Sequence, residues 1–471
     1  MLASATLDDA TIAAGNWPDT LELALDGIAQ GGEAVGRRGE RVVFAAGGIP
    51  GERVLVQLRE KHVAYARGDV IAVLAVSPDR VAPQAPGASH MAWQHIAFLA
   101  QQRLRRQILA DQLAKFAGID PQLVEETTPA SSPWGYRNSA RLHCVGRRTG
   151  YYVAGTQDIT DLDHDPLLHP VLNDALAALH VALAGEAQDA PPLKITLRVS
   201  EAHGYCLATL RGRGDRRRLA ARWRAACPVL AGVVLATPPP LGADTLIEEA
   251  GDLVFLLRPT TFFQVNVAAV TALLELIRAG LGADAGGRLL DLYCGAGTFT
   301  LPLARRATEV VAIEEHPGAI ADAQRTSVAN HITNVRFIAG RVEEALAHLD
   351  GTFDAVVLDP PRRGCHPRAL QALLELAPRC IVYVSCHPAT LARDLRMLLV
   401  AGYAVERVTP VDLFPQTPHV ESVAVLRRQE RNVSGCTPYH HETFQGYEQY
   451  LSNKAFCTAP PPTRPPPAGG R

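Results

Sequence analysis

The sequence predicts an α/β protein: a doubly wound, Rossmann-like parallel sheet in the C-terminal half, preceded by a small β-barrel and a mixed α+β segment. Three observations point there. From about residue 251, short β-branched runs alternate with Ala- and Leu-rich stretches of helical length, as in strand–helix–strand units around a parallel sheet. Residues 19–78 instead carry short apolar–polar alternations punctuated by glycine, which fit either a closed barrel of the oligonucleotide-binding sort or a generic β module. At 471 residues the chain exceeds one ordinary core, so several domains are expected.

After a tail at 1–18, strands are expected at 42–45, 53–58 and 69–76, with Gly47-Gly48-Ile49-Pro50-Gly51 as a turn. A break at Pro83 and Pro86 opens a middle segment, 79–250, that begins with a helix over 95–116 bearing Arg103, Arg105 and Arg106. The same segment holds the densest basic cluster of the chain: Arg211, Arg213, Arg216, Arg217, Arg218, Arg222 and Arg224, with Trp223 among them. Arginines around an aromatic can grip phosphates and stack on bases, or they can form a solvated helix face. In 251–428, strands are expected at 288–293, 309–314, 335–339, 353–359 and 381–386, and helices at 317–329 and 367–377. Residues 429–471 end in proline-rich sequence without periodicity and read as disordered. Cys436, His440, His441 and Cys457 in that tail lack zinc-site spacing, and no metal is expected there.

Composition excludes some functions. With 47% hydrophobic and 20% charged residues and a net charge of −2, a polyanionic partner must be held by local basic patches. The nine cysteines form no paired framework, no signal peptide is evident at the N-terminus, and apolar runs are too short to span a membrane. A reducing cytoplasmic compartment is expected, and no membrane partner.

The chemistry concentrates in three places. Residues 381–386 read as a strand ending on Ser385-Cys386 and broken at Pro388, which puts a thiol at the carboxyl end of a strand, where open α/β sheets bind ligands. Upstream, Leu289-Leu-Asp-Leu-Tyr-Cys-Gly-Ala-Gly-Thr-Phe-Thr300 is a strand ending in a Gly-x-Gly turn, and the following strand ends in Glu314. Gly295 lets a ligand approach the backbone, and Glu314 can accept ribose hydroxyls. The third glycine of a dinucleotide fingerprint is missing, since Phe299 and Thr300 stand in its region. A turn without a pyrophosphate cradle suits S-adenosylmethionine, although a purely structural turn is the alternative. Asp359-Pro360-Pro361-Arg362 ends a further strand, and Glu421 lies in His-Val-Glu-Ser-Val, where it is either a reacting carboxylate or a surface residue.

Taken together, Phe262-Phe263-Gln264-Val265-Asn266, Asp291-Leu292-Tyr293-Cys294-Gly295, Asp359-Pro360-Pro361-Arg362, Ser385-Cys386-His387-Pro388, Thr390-Leu391-Ala392-Arg393-Asp394 and His419-Val420-Glu421 resemble the RNA 5-methyluridine methyltransferases. The likeness runs over about 19–428. Ile49-Pro50-Gly51-Glu52 resembles the turn of that family's TRAM barrel, an RNA-binding module. The resemblance implies a class I methyltransferase domain at 251–428, a TRAM barrel at 19–78 and a central RNA-binding domain at 79–250. It implies methyl transfer from S-adenosylmethionine to carbon 5 of a uridine in ribosomal or transfer RNA. Gln264, Tyr293, Glu314 and Asp359 are then cofactor contacts, Cys386 the nucleophile and Glu421 the base. The chemistry asks for such groups. Carbon 5 of uracil is a poor nucleophile until a thiolate adds to carbon 6, and the carbon-5 proton must afterwards leave to a base. The uridine must also leave its stack to be reached.

The family pattern breaks in one region. Many relatives hold a [4Fe–4S] cluster on four cysteines, but Ala88 and Met91 stand at two expected positions and Asp165 near the fourth. Neither alanine nor methionine replaces a thiolate, so no cluster is expected. His387 also replaces a more usual Asn or Asp. Two other functions stay open: methyl transfer to cytosine or a small molecule, and a non-catalytic RNA-binding protein on the same scaffold. A monomer is expected.

Overall fold

The computed structural model describes residues 17–129, 132–152, 156 and 158–429. Of the tails expected at 1–18 and 429–471, residues 1–16 and 430–471, with Cys436, His440, His441 and Cys457, lie outside the described residues, while Trp17 is buried in the core.

The first unit is a closed five-stranded barrel, β1 (Thr20–Ile28), β2 (Ala34–Arg38), β3 (Arg41–Ala46), β4 (Arg53–Lys61) and β5 (Tyr65–Ala75), in the order β1-β2-β3-β5-β4. Strict alternation in β1 buries Leu21, Leu23 and Leu25 inside and leaves the intervening residues outside, the period-two pattern that sets register. The Ile49–Glu52 turn is held by Glu52, which is buried. Its carboxylate accepts from the Ile49 and Ser77 backbone amides and pairs with Arg80 at 2.6 and 2.7 Å. A buried carboxylate needs such partners, and these tie the turn to the chain leaving the barrel.

The second unit is built on an eight-stranded sheet. Its strands are β6 (Thr128–Pro129), which is an edge, and then β16 (Arg288–Leu292), β17 (Glu309–Glu314), β18 (Val335–Ala339), β19 (Ala355–Leu358), β20 (Cys380–Ser385), β21 (Tyr403–Asp412) and β22 (Glu421–Arg428). The order is β18-β17-β16-β19-β20-β22-β21-β6, parallel from β18 to β20 and antiparallel at β22 and β21. Strand β19 is buried at every residue, as expected where helices cover both faces. Helix α1 (Phe98–Ala117) packs on the helix Pro388–Val400, and β6 pairs with β21, so residues 98–129, within the expected central domain, pack on this sheet. Four helices start the same way: His169-Pro170, His316-Pro317, His366-Pro367 and His387-Pro388. Proline presets the first helical residue, and the preceding imidazole accepts an amide that the first turn leaves unpaired.

Between these units lies a seven-stranded sheet: β7 (Ser139–Val145), β8 (Arg148–Tyr152), β9 (Ile159–Asp161), β10 (Leu193–Ser200), β11 (Tyr205–Gly212), β12 (Leu230–Leu235) and β13 (Leu241–Gly242). A hairpin of β14 (Leu246–Ala250) and β15 (Leu253–Leu257) follows it. Two helices, Pro170–Leu183 and Arg217–Ala226, cover one face and form its core with Leu142, Ile195, Leu197 and Leu210. The structure corrects one reading of the basic cluster. Trp223 is fully buried in this core and donates to the Ala175 carbonyl, so it cannot stack on a base. Arg216 and Arg222 pair with Glu186, and Arg217 and Arg224 point at backbone carbonyls. The helix's arginines are largely used up in holding their own domain together.

Candidate active site

The crevice of an open α/β sheet opens where the chain reverses its winding direction, here between the carboxyl ends of β16 and β19. Strand β16 ends in a tight turn that requires left-handed backbone at Tyr293 (φ 66), Gly295 (φ 56) and Gly297 (φ 81). Such a conformation at a tyrosine is uncommon and marks a constrained position. Glu314, at the end of the adjacent β17, fastens this turn: one oxygen accepts from Gly295 N at 3.2 Å and the other from His316 N at 2.8 Å. Each carboxylate oxygen keeps a lone pair for a further donor. Gln264 approaches from the segment before the helix Val267–Leu281, its amide 3.4 Å from Asp359 Oδ2. Its own backbone carbonyl accepts from Asn138 of the central domain.

The closing hairpin supplies the rest. Ser385 of β20 stands opposite Ser422 of β22 in antiparallel register, so the next pair outward is Cys386 and Glu421. Directly opposed residues point to the same face with Cβ atoms about 4.5–5.5 Å apart. Cys386, Glu421, Asp359, Gln264, Tyr293, Gly295 and Glu314 all line one cavity of about 1170 Å³. Arg362 and His419 line it too, each from a recognised motif, and so do Phe262 and Arg137. Arg137 gave no sequence signal, because it reaches the cavity from the central domain by tertiary placement. The barrel also reaches this region, where the Gln30 side-chain amide meets His387 Nε2 at 2.8 Å.

Burial dominates the electrostatics. The Cys386 thiol is pushed up to about 12 by burial, then by Glu421 and Asp359, while Arg362 pulls the other way. Glu421 is fully buried and is held well above the usual carboxylate range by burial and by Asp359. Burial and then Asp291 raise Asp359 to about 7. Asp291 reaches about 7 through burial, partly opposed by the Thr300 hydroxyl bonded to it. His419 is pushed down to about 4 by burial and then by Arg362, Arg137 and Arg105, so its ring is neutral at pH 7. Crowded carboxyls whose pKa values burial raises favour a positively charged ligand, which lowers such pKa values by attraction. Carboxyl, amide and glycine groups around a sulfonium nucleoside fit S-adenosylmethionine.

An iron–sulfur cluster does not fit. Ala88 and Met91 pack with Ala85, Trp134, Tyr136 and Leu167 in a small apolar nest, and Met91 is buried. Asp165 is occupied otherwise: it accepts from the Tyr151 hydroxyl and the Leu167 amide and faces His90 Nε2 at 3.2 Å. Among the described residues, no group of three His, Cys, Asp or Glu side chains is placed to hold a metal ion.

A doubly wound sheet with a glycine turn at its switch point and a closing antiparallel hairpin defines a class I methyltransferase domain, here joined to an N-terminal barrel. Comparison with known proteins sharpens this class. A profile of the tRNA (uracil-5-)-methyltransferase family matches residues 244–429. An RNA methyltransferase of Thermosynechococcus vestitus is 36% identical, over 86% of this chain and 98% of its own. The 23S rRNA (uracil(1939)-C(5))-methyltransferase RlmD of Edwardsiella ictaluri is 34% identical, over 84% of this chain and 93% of its own. The fold matches the crystal structure of the Pyrococcus abyssi tRNA (uracil-54, C5)-methyltransferase in complex with S-adenosyl-L-homocysteine. That match has a TM-score of 0.69 and 23% identity, and covers 86% of this chain and all of that one. The chain belongs to the RNA uracil-5 methyltransferase family.

Proposed function

We propose that this enzyme methylates carbon 5 of a uridine in structured RNA, ribosomal or transfer, through a covalent bond between Cys386 and carbon 6, with Glu421 as the base. The observation that carries the reading is that Cys386, one residue past the last β20–β22 pair (Ser385–Ser422), and Glu421, the first residue of β22, line one cavity with Asp359 and Glu314 and lie close enough to act on each other's charge. S-adenosylmethionine, when bound, supplies an electrophilic methyl group and a positive sulfonium. Gln264, Tyr293, Gly295, Glu314 and Asp359 are the residues assigned to hold it, with Glu314 toward the ribose.

The chain's residues then divide the work. Cys386 adds as thiolate to carbon 6, and the electron pair of the carbon 5–carbon 6 double bond moves onto carbon 5, which takes the methyl group. Glu421 removes the carbon-5 proton. The freed pair restores the double bond and expels the Cys386 sulfur, so the net products besides the methylated base are S-adenosylhomocysteine and one proton. Burial pushes thiol and carboxyl toward their neutral forms; nearby positive charge favours their ionised forms, and Arg362 acts on Cys386 in that sense. Packing of Ala88 and Met91 leaves no part for an iron–sulfur cluster. Residues 19–78 and 79–250 are assigned to hold the RNA, and the enzyme is read as a cytoplasmic monomer.

The test pairs two variants. Glu421→Gln is nearly isosteric but cannot take the proton, so the reaction should stall after methyl transfer. A protein–RNA adduct should then survive denaturing electrophoresis, carry label from the donor's methyl group and vanish when Cys386→Ala is added. Ordinary turnover by Glu421→Gln, or turnover by Cys386→Ala alone, would overturn the assignment.

A further inference from the structure

The arginine-rich helix faces its own domain, and the opposite face of the same sheet carries basic groups with no such partners. Strand alternation puts Leu142, Ile195, Leu197 and Leu210 under the helices and turns the residues between them to the other side. Register then aligns them in rows. His143, Lys194 and Arg211 stand side by side on β7, β10 and β11; Arg141, Thr196 and Thr209 form the next row, and Arg198 belongs to the row beyond. Arg141, Lys194 and Arg211 are exposed, and none is in a salt bridge among the described residues. Lys194 directly opposite Arg211 is a like-charge cross-strand pair, which destabilises a sheet unless an anion lies across it.

Other groups on this face also await a ligand. The Thr209 hydroxyl is buried and unpartnered, and it lines a second cavity of about 460 Å³ with Arg211, Asp244 and Arg258. Arg198 is buried with two guanidinium nitrogens unpartnered. Tyr152 is 43% exposed, and its ring packs on His143 with centroids 3.9 Å apart. The rows lead to the catalytic cavity: Arg198 donates to the Thr261 carbonyl, and Thr260 lines both cavities. Asp244 is the one acid lining the smaller cavity.

We propose that this open sheet face carries the RNA strand entering the catalytic cavity, with Arg141, Lys194 and Arg211 on its phosphates and the Tyr152–His143 ring pair against one of its bases. The inference rests on the RNA reading above and names the surface that serves it. Charge complementarity selects a polyanion, and continuity with the uridine cavity selects the substrate strand.

The test compares Arg141→Ala/Lys194→Ala/Arg211→Ala with Arg217→Ala/Arg218→Ala, which removes two arginines of the helix on the other side of the sheet. Total RNA from cells lacking the gene serves as substrate for methyl transfer and as ligand for filter binding, between 0.05 and 0.3 M potassium chloride. With a single-strand slope of about −0.7 per phosphate, each contact contributes roughly fourfold at about 0.15 M salt relative to 1 M. The triple variant should raise KM roughly fifty-fold with kcat within about twofold, and flatten the log–log salt slope by about 2. Tyr152→Ala should weaken binding roughly tenfold, the effect of losing one stacked base. The double variant should match wild type. Wild-type affinity and salt slope in the triple variant, or an equal loss in the double variant, would overturn the surface. If wild type transfers no methyl group but binds RNA more tightly than the triple variant, the chemistry fails and the surface stands.

Discussion

Replacing Arg105 by methionine should disable catalysis without unfolding the protein. Arg105 lies on α1, fully buried, and spans the loop that connects β21 to β22 and delivers Glu421. Its guanidinium donates to the carbonyls of Phe414 and Thr417 at 2.9 Å and of His419 at 3.1 Å. It also faces Asp412 at 3.1 Å and lies 5.2 Å from the Trp93 ring centre. Phe414 keeps the Thr417 hydroxyl as a second donor, so the variant orphans two carbonyls, Thr417 and His419. At about 1–3 kcal/mol each, that is roughly 2–6 kcal/mol of local destabilisation. Asp412, already raised by burial, takes up a proton when its cation is gone, and removing a buried guanidinium returns part of the cost. A typical domain is stable by about 5–15 kcal/mol, so the fold should survive while the loop loosens. A shift of Glu421 by about 1 Å can lower the rate by about a hundredfold. The expected result is kcat reduced by roughly 10- to 100-fold with donor affinity unchanged, because the Glu314 side of the cavity is untouched. Amides of residues 413–420 should exchange at least about 30-fold faster, from the lower bound of the same 2–6 kcal/mol. Arg105→Lys, which keeps the charge but cannot span three carbonyls, should fall between. Wild-type kcat together with wild-type exchange in Arg105→Met would refute the clamp.

Three further predictions follow from the ionisable groups. Because burial raises both Cys386 and Glu421 and both must lose a proton to act, kcat/KM should climb throughout about pH 6 to 9 with a log slope between one and two; a flat profile would contradict those roles. Arg362→Gln should deepen the deficit at pH 7 and lose less at pH 10, since Arg362 is the charge that lowers the thiol. Asp291 is raised from the ordinary range to about 7, so the stability it contributes is present below about pH 4 and is lost as pH rises toward 7. Asp291→Asn, neutral throughout, should therefore gain on wild type by several degrees in thermal melts between pH 4 and 8, with an upper bound of about 4 kcal/mol. A constant gap would contradict a buried, proton-holding Asp291.

Much of the fold was legible in the chain. The parallel strands at 309–314 and 335–339 and the helix at 317–329 have the bounds their sequences predict. They are self-contained patterns: an apolar run buried on both faces at 309–314, a half-buried edge strand at 335–339, and a helix opened by His-Pro. Elsewhere the edges moved by a few residues, as at 353–359, where Ala355–Leu358 is the strand. There Phe353 is buried at the strand's entrance, and Asp359 leaves the ladder to face the cavity. The site's residue types were legible too, since the Gly-x-Gly turn, the Asp-Pro-Pro-Arg loop and the Ser-Cys-His-Pro break are each local.

What the sequence determined by itself was therefore local: which segments are strands or helices, which carry reactive groups, and that no cysteine stands where relatives hold a cluster. Tertiary structure decided who stands opposite whom. That Cys386 faces Glu421 across 35 positions of chain depends on one antiparallel register, and a slip of one residue would have turned them to opposite faces. Trp223 and its arginines read in one dimension as either a binding patch or a solvated helix face and proved to be core and internal ion pairs in three, whereas Arg141, Lys194 and Arg211, scattered over 70 residues, came together on one sheet. Arg105 gave no sign of serving a loop more than 300 residues away. The physical reason is common to all of them. Periodicity reports how each residue relates to its own element, while charge pairing, desolvation and hydrogen-bond satisfaction are set by neighbours brought together only by folding.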